Sequence, residues 1–129
     1  MAEPDPRAQV SYFNQVASTY DEKWSISFDR RCIDYARGLF DTVVDGADAG
    51  SRPYARCLDV GGGTGFFSFN LALGGVLTDV HLIDVAPAMV AQALATAESL
   101  GLSASGSVAD AEALPFPDDT FDLVVGHAV

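Results

Sequence analysis

The sequence predicts an α/β fold: a doubly wound, mostly parallel sheet with helices on both faces. Three observations point there. Apolar runs of strand length alternate with segments of helical periodicity, in the order strand, helix, strand, helix, strand. A turn crowded with glycine (Gly61, Gly62, Gly63 and Gly65) stands between the first strand and the helix after it. The 129 residues are 49% hydrophobic and 19% charged, which suits one domain with one core.

Each element follows from local pattern. The opening "MAEPDPRAQV" reads as a flexible leader. It is acidic and proline-bearing, with neither the basic nor the apolar region of a secretory signal, so a cytoplasmic location is expected. "SYFNQVASTYDEKW", residues 11–24, suits a short helix and turn. From Ser27 the spacing is helical, with Phe28, Cys32, Tyr35, Ala36, Leu39, Phe40 and Val43 recurring every three or four residues. "DGADAGSRP" is a loop, and residues 55–60 form a buried strand. Residues 64–73 are apolar almost all round, which predicts a buried helix closed by Gly74 and Gly75.

"DVHLIDV", residues 79–85, reads as the second strand. The next helix has Pro87 in its first turn, an inner face of Val90, Ala93, Leu94 and Ala97, and a stop at Gly101. "SASGSVAD" holds a third strand, "LPFPDDT" is turn chemistry, and "FDLVVGHAV" starts a fourth strand.

Charge narrows the partners. Eighteen acidic against seven basic residues leave a net charge of −11. Nucleic-acid binders need a basic stripe, and anionic membrane surfaces attract basic ones, so neither partner is expected. No apolar run is long enough to span a bilayer. Cys32 and Cys57 read as reduced core thiols. His81 and His127 stand apart and no CxxC occurs, so no metal site is expected. A neutral or cationic small molecule fits best.

In parallel sheets ligands bind beyond the carboxyl ends of the strands, where strand order reverses. Two ligand classes exploit a glycine turn there. Dinucleotides ask for Gly-x-Gly-x-x-Gly, and counting from Gly61 the last small residue falls on Phe66. The other class is S-adenosylmethionine. "LDVGGGTG" resembles the first motif of the class I S-adenosylmethionine-dependent methyltransferases, with Asp59, Gly61, Gly63 and Gly65 in register. "HLIDVAPAMV" is similar to that family's second motif, and "VADAEALPFPDDTFDLVVGHAV" to its third and fourth segments. The "LPFPDDTFD" run and the leader "YFNQVASTYDEKW" resemble the small-molecule branch that includes the ubiquinone and menaquinone biosynthesis methyltransferases.

The resemblance implies a Rossmann-like fold and a set of roles. Gly61, Gly63 and Gly65 would lie against the methionine portion of the cofactor. Asp59 would face its ammonium, Asp84 would accept from both ribose hydroxyls, and Val85 would pack on adenine. Asp110 would accept from the adenine amine, with the Ala111 N–H reaching a ring nitrogen. Tyr20 would close over the cofactor, and His127 is the candidate base beside the reacting methyl. The implied reaction is methyl transfer to a small-molecule acceptor, with S-adenosylhomocysteine as product. Simpler roles exist for each: Asp84 taken alone suits a helix cap, Asp110 a turn, His127 a strand end, Met89 and Tyr20 packing. Where the family often has Ser or Thr to cap the helix after Asp84, this chain has Ala86.

The resemblance further implies a longer sheet, so the fold is expected to be truncated after the fourth strand. Residues 1–26 would be a leader and cap, and residues 27–129 a partial cofactor-binding domain. Such a chain should bind cofactor weakly if at all, turn over little and self-associate through its fourth-strand edge. A non-catalytic cofactor-binding or interacting fragment remains an alternative, as does an NAD(P)-binding half.

Overall fold

The computed structural model describes residues 6–23, 26–44, 52–110 and 120–126. Helix α1 (Pro6–Val16) leads through a 3-10 turn (Ala17–Thr19) into the single-turn helix α2 (Tyr20–Lys23). Helix α3 (Arg30–Val43) follows, then β1 (Tyr54–Val60), α4 (Phe66–Leu73), β2 (Leu77–Asp84), α5 (Pro87–Leu100), β3 (Ser103–Val108) and β4 (Leu123–Val125). The leader differs from expectation: helix begins at Pro6, a residue whose fixed φ suits a first turn.

All three strand pairings are parallel, and the order is β3-β2-β1-β4. The chain steps outward from β1 to β3, then returns to the other side of β1. The carboxyl ends of β1 and β4 therefore flank the point of reversal. Both crossovers through α4 and α5 step the same way, and right-handed crossovers then place both helices on one face. Contacts agree. Ser68 of α4 reaches Asp59, and Val90 of α5 abuts Gly106, whose strand partner Leu82 pairs in turn with Asp59. A second helical face would have to come from connections on the β4 side. Residues 111–119 of the connection before β4, with their turn, lie outside the described residues.

The core lies between the sheet and this helical face. Phe69 and Leu71 of α4 meet Cys57, Val80, Leu82 and Val125 of the strands, with Phe40, Val90, Ala93 and Ala97 closing the sides. Four consecutive α4 residues, Ser68 to Leu71, are buried, so the helix is enclosed on all sides there, with Ser68 and the Asn70 amide hydrogen-bonded inside. Helix α3 buries only the narrow stripe Cys32, Ala36 and Phe40, while Val43 is 78% exposed, so the stripe is slimmer than its periodicity suggested. Asp29 caps α3 by accepting the Cys32 N–H at 3.1 Å. No helix among the described residues is long and apolar enough to cross a membrane.

Gly65 joins the turn to α4. Its φ is +89°, and a Cβ there would stand 2.3 Å from Cε2 of the buried Phe69 ring. Gly65→Ala therefore meets both backbone strain and a ring that cannot yield. It should cost about 3 kcal/mol, read as a lower urea midpoint at unchanged slope. A shift below about 0.5 kcal/mol would contradict this packing.

Candidate functional site

The glycine turn is built by hydrogen bonds that reach across strands. The Gly62 N–H donates to the Ile83 carbonyl at 3.1 Å, and the Gly65 N–H closes the turn on the Gly62 carbonyl at 2.9 Å. Gly61 and Gly63 have φ of 65° and 58°, a left-handed backbone that glycine adopts without penalty. Gly62, a spacer in the motif, is constrained differently. A Cβ there would stand 2.9 Å from the Asp59 carboxyl carbon. The turn is thus folded down onto the acid that ends β1.

Asp59 is 1% exposed. It accepts a short hydrogen bond from the hydroxyl of Ser68, itself fully buried. Burial pushes its carboxyl up from the ordinary 3.8 to about 6; the Ser68 hydrogen bond opposes this and the nearby Asp84 adds to it. The chain therefore holds an acid whose charged form is disfavoured by burial, and a neighbouring positive charge would favour it.

Asp84 organises the surroundings. One carboxylate oxygen accepts the Gly63 N–H and the other the Ala86 N–H, each at 3.0 Å. Its carbonyl accepts the Ala109 N–H at 3.1 Å, which brings the start of the Asp110 segment beside it. Each oxygen of a carboxylate has a second lone pair, so two ligand hydroxyls still have acceptors. Asp84 holds the approach to α5 at Ala86 and does not cap the helix's first turn, and this leaves its ligand-binding role open. Val85, just past β2, is an exposed apolar side chain, and Asp110 is exposed at the end of β3.

The structure thus gathers Asp59, Asp84 and Asp110 at the carboxyl ends of three adjacent strands, around Gly61, Gly63 and Gly65. Ala111 and His127 lie outside the described residues, as does the side chain of Tyr20. The donor set fits S-adenosylmethionine: a buried anion for a cation, a carboxylate with free lone pairs for a diol, and a side-chain-free turn for close approach. Phe66 packs its ring 6.0 Å from that of Tyr35, and the place that refuses a side chain is Gly65. His81 is occupied away from the turn, its ring nitrogens 2.7 and 2.9 Å from the hydroxyls of Ser105 and Ser107.

Sequence reasoning passed over Ser68, Gly62, Thr64, Asn14 and Asp21. Ser68 left a trace, as one of two polar residues, with Asn70, in a mostly apolar helix. Thr64 is 2% exposed and donates a short hydrogen bond to Asp21 of α2. Asp21 has its carboxyl raised by burial, an effect the Thr64 hydrogen bond partly offsets. Asn14 of α1 accepts the Ala88 N–H at 2.9 Å, at the start of α5.

The sheet order, the glycine turn and the strand-end acids together define a doubly wound α/β class with a site at its strand ends, and comparison with known proteins identifies the family. Residues 57–129 match the methyltransferase domain family, and the chain belongs to it. The aklanonic acid methyltransferase DauC of Streptomyces sp. strain C5 is 36% identical over 118 residues, covering 90% of this chain and 52% of that protein. The demethylmenaquinone methyltransferase of Beutenbergia cavernae is 35% identical over 123 residues, covering 93% of this chain and 45% of that one. An S-adenosylmethionine-dependent methyltransferase structure from Clostridium acetobutylicum superposes with a TM-score of 0.58 at 20% identity, over 88% of this chain and 43% of that one, and shows the shared fold. The chain spans about half the length of the curated relatives it matches.

The buried acid gives a signed prediction. The folded state holds Asp59's proton more tightly than the unfolded chain, so stability from this group is present below 3.8 and lost as pH rises to about 6. Asp59→Asn removes the dependence and keeps an acceptor for Ser68. Its stability relative to the unmodified chain should improve by about 2 kcal/mol between pH 4 and pH 8, measured by urea unfolding at both. Parallel stability–pH curves would contradict the assignment.

Proposed function

We propose that this chain is the cofactor-binding half of an S-adenosylmethionine-dependent methyltransferase acting on a small-molecule acceptor. The observation that carries this is Asp59, a buried carboxyl with no positive partner among the described residues, under a glycine turn that Asp84 anchors through the Gly63 N–H. Residues 1–26 act as a cap and residues 27–129 as the cofactor domain. The acidic surface and the named acceptors of the relatives, aklanonic acid and demethylmenaquinone, support a small molecule. A cytoplasmic location suits both.

S-adenosylmethionine, when bound, supplies an electrophilic methyl group on a sulfonium. The protein's part is to hold and shield. Asp59 balances the ammonium of the methionine portion, and Gly61, Gly63 and Gly65 let that portion lie on the backbone. Asp84 takes the ribose hydroxyls with the lone pairs its backbone bonds leave free. Val85 offers an apolar surface to adenine; Asp110 accepts from the adenine amine, and the Ala111 N–H serves a ring nitrogen. Tyr20 covers the site, which excludes water from a centre that loses its charge in the reaction. His127 is the candidate base for an acceptor that begins protonated.

Calorimetric titration with S-adenosylhomocysteine tests this. The chain should bind it saturably, Asp84→Ala should lose at least about ten-fold in affinity, and NADH should not bind. A folded chain that ignores S-adenosylhomocysteine, or prefers NADH, would overturn the reading. We also propose self-association through β4. Among the described residues β4 pairs only with β1, and Val124 is 60% exposed. Sedimentation should show mass rising with concentration; a monomer throughout would refute it.

A further inference from the structure

The N-terminal segment is tied to the glycine turn by side chains that the motif leaves unassigned. The first tie is Asn14. Helix α5 starts at Pro87, and the side chain of its N-cap residue Ala86 cannot cap it. Its open N–H at Ala88 is answered by Asn14 from 74 residues earlier, at 2.9 Å. The cap absent at position 86 is thus supplied from α1. The second tie is Thr64, enclosed between Gly63 and Gly65, whose buried hydroxyl donates to Asp21. Between the ties, Ala17, Ala86 and Met89 form a small closed cluster with Phe13 and Ala88. The Met89 methyl stands 3.5 Å from where a Cβ on Gly63 would be, so the cluster backs the turn directly.

These contacts converge on Gly63 and Thr64. Gly63 is held from the sheet by Asp84 and backed by Met89; Thr64 is held from the cap by Asp21. We propose that Asn14 and Asp21 are positioning residues, which clamp Pro6–Lys23 onto the turn and fix the Gly63–Thr64 backbone in its cofactor-binding form. The proposal rests on the cofactor reading above. It gives the N-terminal segment a second task beyond covering the site: without the clamp the turn loses one of its two anchors. Asn14 and Asp21 touch no cofactor in this scheme and act only through Ala88, Met89 and Thr64.

The test is a double-mutant cycle on the whole chain, with S-adenosylhomocysteine as probe and circular dichroism confirming that each variant folds. Thr64→Val and Asp21→Ala should each weaken binding about five-fold, the effect of one net hydrogen bond, and the double variant no more than either alone. Thr64→Ser and Asp21→Asn keep the donor and the acceptor and should bind as the unmodified chain does. A general loss of packing would not be rescued in this way. Amide exchange at Gly63, read without ligand, should quicken in Thr64→Val, Asp21→Ala and Asn14→Ala. Additive losses, or unchanged affinity with unchanged Gly63 exchange, would overturn the clamp. If the unmodified chain does not bind S-adenosylhomocysteine, the cofactor reading fails, and Gly63 exchange still decides whether the clamp holds the turn.

Discussion

A carboxyl group with no positive partner among the described residues is buried beneath the glycine turn, and the site is arranged around that fact. Asp59 sits at the end of β1, enclosed by the turn above and by Ser68 of α4 beside it. Burying a lone carboxylate is costly, so the group shifts toward its neutral form. Gly62 has to lack a side chain because the carboxyl occupies the space. Helix α4 has to carry a hydroxyl, at Ser68, on its buried face. Both are consequences of where one acid is placed, and an acid so placed is poised for a cation.

Asp84 plays the complementary part. Its two oxygens hold the Gly63 and Ala86 N–H groups, so one side chain joins the turn after β1 to the start of α5 after β2. The parallel register sets the Asp59–Leu82 pair two residues short of Asp84, which places both acids at the same end of the sheet. Sheet topology thus supplies the proximity, and local hydrogen bonds supply the shape. Family membership and the site's chemistry point the same way, although they rest on different observations.

Much of this was legible in the sequence where the signal is local. The apolar periodicities located α3, α5 and the strands, since burial on one face imposes them. The glycine crowding marked the turn, and the resemblance to the methyltransferase motifs pointed to Asp59 and Asp84. The leader was misjudged because polar composition there conceals a helix beginning at Pro6. Tyr35 and Val43 fit the period of α3 yet are exposed, because α3 packs through a narrow stripe on α4. Asn14 and Asp21 left no pattern: their partners lie 74 and 43 residues away, and no periodicity spans such distances. Gly62 was passed over because its constraint is steric and belongs to Asp59, three residues back.

The most direct test of the account is the titration of Asp59 itself, followed by carboxyl carbon NMR with and without S-adenosylhomocysteine, and assigned with Asp59→Asn. The account predicts an apparent value near 6 for the free chain and a clear fall when the ligand's ammonium is bound. Titration at the ordinary aspartate value in the free chain, or a value that the ligand leaves unmoved, would contradict it.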